Sequence, residues 1–175
     1  VGRTSRTMLL TSSPTLSRTP VTYPTVMTTG DCGCTYTVPE TAYRIDAQAL
    51  GLKPGAVICL KAGVAYKNLV FKNVQGTATA PITIKNCGGS ATVTGTGQWF
   101  GIRTEYCSFF RITGGDTPGS YGIRIDGGTQ SLHLDQLTTN VEVDHVEIFN
   151  SEFSGVMAKT EPSCDNATLR GSFVM

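Results

Sequence analysis

From Pro54 onward, apolar residues come in pairs separated by one polar position, and the pairs return about every nine to thirteen residues between Gly, Asn, Asp or Thr. Alternation with period two is the signature of a short strand with one buried face. The inward sets are Ile58 and Leu60, Leu69 and Phe71, Ile82 and Ile84, Ala91 and Val93, Phe100 and Ile102, and Phe110 and Ile112. They continue with Ile123 and Ile125, Leu132 and Leu134, Val141 and Val143, Val146 and Ile148, Val156 with Ala158, and Phe173. Lys61, Lys72, Lys85, Arg111, Arg124, Asp135, Glu142 and Glu147 lie between or beside them and are expected to face water. Stacked directly over one another, such pairs wind an all-β chain into a parallel β-helix, a solenoid with an apolar lumen.

Three pieces end alike, in Asn73, Asn86 and Asn150. Asparagine tolerates the left-handed backbone region and bonds its own turn, so each is expected at a sharp corner. A sandwich of antiparallel hairpins is the rival, but it calls for Asn-Gly or Asp-Gly turns between most strands, and only Asp126-Gly127 fits. Residues 1–30 are rich in Ser, Thr, Arg and Pro with scattered apolar positions, and are expected to be an extended or disordered tail. Tyr36-Thr-Val and Ile45 to Leu50 read as a short strand and a helical or looped segment that caps the first coil of a domain over 31–175. Solenoids need such caps because a terminal coil exposes strand edges and core.

A net charge of +1 with 15% charged residues gives no basic face for nucleic acid. No run approaches the roughly 18 apolar residues of a membrane span. The first residues lack a signal-peptide core, and a start at Val1 suggests a processed or truncated end. Six cysteines in a β-rich chain favour disulfides and export, with an even count that leaves none over. Zinc is the rival, but only Cys32-Gly33-Cys34 is closely spaced.

Leu52 to Gly63, Gly76 to Gly89, Val143 to Ile148 and Gly155 to Asp165 resemble right-handed parallel β-helix proteins of the pectate-lyase-like superfamily, in particular large extracellular bacterial forms of the Bacteroidetes type. The resemblance covers about residues 31–175 and speaks for architecture more than activity. It implies an extracellular or cell-surface protein that binds or processes polysaccharide, acidic glycans in the lyases. If it is an enzyme, the class is polysaccharide lyase or glycoside hydrolase; the alternative is a non-catalytic adhesion scaffold. It also implies further coils, so the chain reads as an N-terminal fragment whose last coil invites self-association.

A lyase removes a proton beside a uronate carboxylate that calcium or arginine neutralises, so it needs a base and cations on neighbouring rungs. Arg111, Arg124 and Lys159 are the candidate cations and His145 the candidate imidazole, each weighed against ordinary solvated surface or a structural histidine. Asp144 and His145, neighbours on a strand, are expected to point apart, and His133 stands at the wrong spacing to share a metal with His145. Asp126, Asp135, Glu142, Asp144 and Glu147 offer many carboxylate pairs without selecting one. Calcium near Asp116 or Asp126 has no recognisable loop motif, so no metal or cofactor is assigned. Trp99, Tyr106 and Tyr121 lie near Gly-rich stretches and suit either the core or a sugar face. Gly95, Gly97 and Gly101 read as turn chemistry, and Asn166-Ala-Thr168 matches a glycosylation acceptor. Cys59 and Cys87 fall on outward or turn positions, so Cys32 or Cys34 is expected to tie the capping segment to one of them.

Overall fold

The computed structural model describes residues 32–117 and 120–158, and the backbone of Thr168 and Leu169. Among these residues every regular element is a strand, and every strand pairing is parallel. Three sheets result. Sheet A holds β1 (Tyr36–Thr37), β3 (Val57–Lys61), β6 (Ile82–Cys87), β9 (Ser108–Thr113), β12 (Thr139–Asp144) and β15 (Thr168–Leu169). Sheet B holds β2 (Arg44–Asp46), β5 (Leu69–Lys72), β8 (Phe100–Glu105), β11 (Gln130–Leu134) and β14 (Ser154–Ala158). Sheet C holds β4 (Ala65–Lys67), β7 (Ala91–Thr94), β10 (Ile123–Asp126) and β13 (Val146–Phe149).

After β1 and β2 the chain visits A, C and B in that order four times, then returns to A. This is the topology of a parallel β-solenoid: each turn of chain adds one strand to each sheet. Ile58 lies beside Ile84, Ile84 beside Ile112, and Ile112 beside Val143. On sheet B, Leu69, Ile102, Leu132 and Val156 form an equivalent column, and on sheet C Tyr66, Val93, Ile125 and Ile148 do. Both members of every expected pair from Ile58 and Leu60 through Val146 and Ile148 are buried. Val156 is partly buried, Ala158 is exposed, and Phe173 lies outside the described residues.

The segment expected to cap the first coil supplies β1 and β2, the edge strands of sheets A and B, with a turn over 47–51 in place of a helix. Near this end the lumen contains Tyr66, absent from the expected apolar pairs. Its hydroxyl accepts a hydrogen bond from Lys61 N and donates to Val38 O, so the buried polar tip is satisfied. Corners are made by single residues at positive φ, among them Asn73 at 52° and Asn150 at 56°. Asn86 does not make one. It is buried within β6, in register with Leu60, and its Nδ2 donates to Gly89 O and Thr117 Oγ1.

Two disulfides, Cys32–Cys87 and Cys34–Cys59, tie the start of the described chain to β6 and β3. Both Cys32 and Cys34 are used, where one tie was expected. Cys107 corrects the expectation that no cysteine is left over: it is a free thiol buried in the core, and burial pushes its pKa up to about 12. Its backbone lies at the corner from sheet B to sheet A, where Thr139 N donates to Cys107 O. Cys164 lies outside the described residues.

Candidate functional site

The outer faces of the three sheets differ in chemistry, because each outward position on one strand lies beside the same position on the next. On sheet A, Arg111 pairs in register with Glu142, and Thr113 with Asp144. Asp144 is the hub. Its Oδ2 accepts from Arg111 Nε at 2.6 Å, its Oδ1 accepts from Thr113 Oγ1 at 2.6 Å, and His145 Nδ1 hydrogen-bonds the same Oδ1. Only 3% of its side chain is exposed. Burial by itself raises a carboxyl pKa, but the bonds from Arg111, Thr113 and His145 outweigh it and hold Asp144 below its usual value. The same contact raises the Arg111 pKa.

Asp144 and His145 were expected to diverge as strand neighbours. They meet because His145 is not on the strand: it occupies the corner between β12 and β13 at φ 52°, which turns its ring back onto the preceding carboxylate. Gly114 lies against this corner. A methyl group there would overlap the His145 carbonyl and the Gly122 amide, so only glycine fits. Lys85 is paired to Asp116 of the following loop at 2.7 Å.

The structure thus brings two of the four candidate cationic or imidazole residues, Arg111 and His145, onto one carboxylate. Arg124 stands elsewhere, on sheet C, with Glu147 as ion-pair partner and its guanidinium 5.0 Å from the Phe149 ring centre. Lys159 lies outside the described residues. His133 is on sheet B, in register with Arg103 and Met157, while His145 sits at the corner from sheet A to sheet C. Asp126 accepts from Asn150 Nδ2 at 2.8 Å. Every arginine among the described residues is ion-paired, Arg44 with Glu105, Arg103 with Glu105 and Asp135, Arg111 with Asp144 and Glu142, and Arg124 with Glu147.

Sheet B carries a groove of about 410 Å³ lined by Trp99, Phe100, Arg103, Gln130, His133, Asp135, Phe153 and Met157. Trp99 and Phe153 are the two most exposed large apolar residues described, at 71% and 75%. Their placement follows from register. Gln130 lies beside both Phe100 and Ser154, so Trp99, Thr129 and Phe153 occupy one position on three successive coils. Trp99 O accepts from Gln130 N at 2.8 Å, and Thr129 O accepts from Phe153 N at 3.1 Å. Two strand spacings separate the aromatic residues along the axis, about 9–10 Å of backbone rise.

Further along β8, Arg103 Nη2 donates to Asp135 at 2.6 Å, and its guanidinium lies 5.8 Å from the Phe100 ring centre. Glu105, nearly buried, is paired with Arg103 of its own strand β8 and with Arg44 of β2, so its carboxylate reaches across the intervening β5. Gln130 is 9% exposed, and its Oε1 has no hydrogen-bond partner; nor has Arg103 Nε. Trp99 was visible in the sequence as an aromatic beside glycines, and the structure places it outside the core. Phe153, Arg103 and Gln130 were missed. The signal that finds them is the strand register, which aligns Trp99 with Phe153 across more than fifty residues of chain.

No protein-family model, curated protein or solved structure matches this chain.

Proposed function

We propose that this chain is part of a right-handed parallel β-helix of the pectate-lyase-like kind, secreted or held at the cell surface, that binds polysaccharide along the outer face of sheet B. The observation that carries the reading is the pair of exposed aromatic rings, Trp99 and Phe153, at the same position two coils apart in a largely apolar groove that also holds the polar side chains of Arg103, Gln130, His133 and Asp135. Exposed aromatic faces offer apolar area to the C–H faces of sugar rings, and a repeating backbone presents them at a repeating distance. Two disulfides support an oxidising compartment. Among the described residues no helix is long and apolar enough to cross a membrane.

Binding is favoured over cleavage. A lyase acting on acidic sugar needs cationic charge left over to meet the substrate, and the described arginines are all committed to carboxylates of the chain itself. The same pairing favours, as a second reading, a non-catalytic adhesion scaffold whose regular face meets a partner. Affinity electrophoresis and calorimetry against a panel of immobilised and soluble glycans test the proposal. Binding that falls about tenfold or more in Trp99→Ala and Phe153→Ala supports it. Absence of binding to every glycan, or binding indifferent to both substitutions, refutes it.

A further inference from the structure

Away from the sheet B groove, we infer that in the reduced chain Cys32, Cys34, Cys59 and Cys87 form a thiolate site for one zinc ion, an alternative to the two disulfides that the same sulfurs make when oxidised. Along the sequence only Cys32-Gly33-Cys34 is a close pair, and spacing by itself speaks against zinc. Strand register supplies the second pair. Ile58, Leu60, Ile82 and Ile84 are buried in the lumen, so Cys59 of β3 and Cys87, the last residue of β6, face outward from neighbouring strands of sheet A. The entry segment lies over this face, with Gly33 at φ 63° between its two cysteines, and each of them reaches one strand. As a result the sulfurs of Cys32, Cys34 and Cys87 lie within 4.8 Å of one another, and that of Cys59 is bonded to Cys34.

Zinc holds thiolates at about 2.3 Å in a tetrahedron, which sets neighbouring sulfurs about 3.8 Å apart. Sulfurs at 4.8 Å close in by about 1 Å to reach that spacing, and a pair released from its bond opens by about 2 Å, movements that side-chain rotation provides. Cys32, Cys34 and Cys87 are each at least partly exposed, so reductant and metal reach them. Lys85 stands in register beside Cys59, and Lys61 beside Cys87. Neighbouring cations favour thiolate over thiol and offset the net negative charge of zinc with four thiolates, although Lys85 is shared with Asp116 at 2.7 Å. Four sulfur ligands suit zinc or cadmium and reject calcium and magnesium. A phosphine and water convert each disulfide to two thiols, the phosphine leaving as its oxide, and every thiol that then ligates zinc gives up its proton. An oxidant that withdraws four electrons from the four thiolates restores both disulfides and frees the ion.

The test reduces the whole chain with a phosphine under anaerobic conditions, removes the reductant, and titrates with Co²⁺ and then Zn²⁺. The expected result is one ion per chain by native mass spectrometry, the sulfur-to-metal charge transfer and intense visible bands of tetrahedral cobalt, displacement of cobalt by zinc, and no binding by the oxidised chain. Zinc also restores part of the thermal midpoint lost on reduction, because it binds the folded site. Cys34→Ser and Cys87→Ser each weaken binding more than a hundredfold, beyond the range of about 10–100-fold that loss of a supporting residue costs. Failure of the reduced chain to bind one ion, a cobalt spectrum without sulfur charge transfer, or an affinity indifferent to both substitutions overturns the inference. So does equal affinity in strong urea, where strand register is lost and only the close pair remains. If a substituted chain fails to fold, iodoacetamide labelling of the unsubstituted reduced chain, read by peptide mapping, decides the matter. Zinc then shields Cys32, Cys34, Cys59 and Cys87, and equal labelling with and without the ion overturns the site. None of these outcomes bears on glycan binding by sheet B.

Discussion

Replacing Asp144 with alanine removes one carboxylate on which three neighbours depend. Thr113 Oγ1 and Arg111 Nε each donate to it at 2.6 Å, and His145 Nδ1 bonds the same oxygen as Thr113. Because an ionised carboxylate accepts only, the ring proton of His145 sits on Nδ1 in this arrangement. The Thr113 bond is buried and charge-assisted, and is worth about 1.5–3 kcal/mol. The Arg111 pair contributes less, about 0–1 kcal/mol, since 42% of the arginine side chain is in water. With the stranded His145 bond added, the loss is about 3 kcal/mol, the range seen when one partner of a buried polar cluster is deleted. At a urea slope of about 2 kcal/mol/M, the unfolding midpoint should fall by about 1–2 M. Equilibrium urea unfolding followed by fluorescence and circular dichroism measures it, and a midpoint within about 0.3 M of the unsubstituted chain would refute the reasoning.

The same carboxylate predicts a pH dependence. Its folded pKa is lowered below the ordinary 3.8, so its stabilisation is fully present above that unfolded value and is lost as pH falls through the folded one. The stability difference between the unsubstituted chain and Asp144→Asn should therefore be constant from neutrality down to about pH 4–5 and shrink below it. A difference that grows as the solution is acidified contradicts this assignment.

Two further outcomes concern the sulfur atoms. The disulfides close loops of 55 and 25 residues. By loop-closure entropy each contributes about 3–4 kcal/mol, so reduction with a phosphine should lower the thermal midpoint by about 10 °C or more, and an unchanged midpoint would remove the disulfides from the account of stability. Cys107, whose thiol is buried and titrates near 12, should resist iodoacetamide in the folded chain and react once urea unfolds it. Peptide mapping that finds Cys107 alkylated under native conditions would show that its side chain is not enclosed.

What could be read from the chain alone was the part governed by local chemistry. The alternation of Ile58 with Leu60 or Ile123 with Ile125 dictates which side of a strand is apolar, because side chains on successive residues point oppositely whatever the strand pairs with. The outward placement of Lys61, Arg111 and Glu147 followed from the same rule, and so did the corners at Asn73 and Asn150, whose side chains suit a left-handed backbone. Asn86 shows the limit of that reading. Its local context matches the other two, but the position lies over Leu60, inside the lumen, where its amide binds Gly89 and Thr117.

Tertiary structure decided everything that depends on register between coils. Trp99 and Phe153 share a groove, Arg103 meets Asp135, and Cys32 reaches Cys87, all across stacked coils that bring together residues tens of positions apart. Loops of unequal length separate successive strands, so residue spacing carries no fixed period from which those pairings follow. Apolar alternation decides only which face of a strand turns inward; the height at which it stacks is set by the strands above and below. The meeting of Asp144 with His145 has the same origin, since it needs the left-handed corner that the winding of β12 into β13 imposes, and a strand read in isolation sends the two side chains apart.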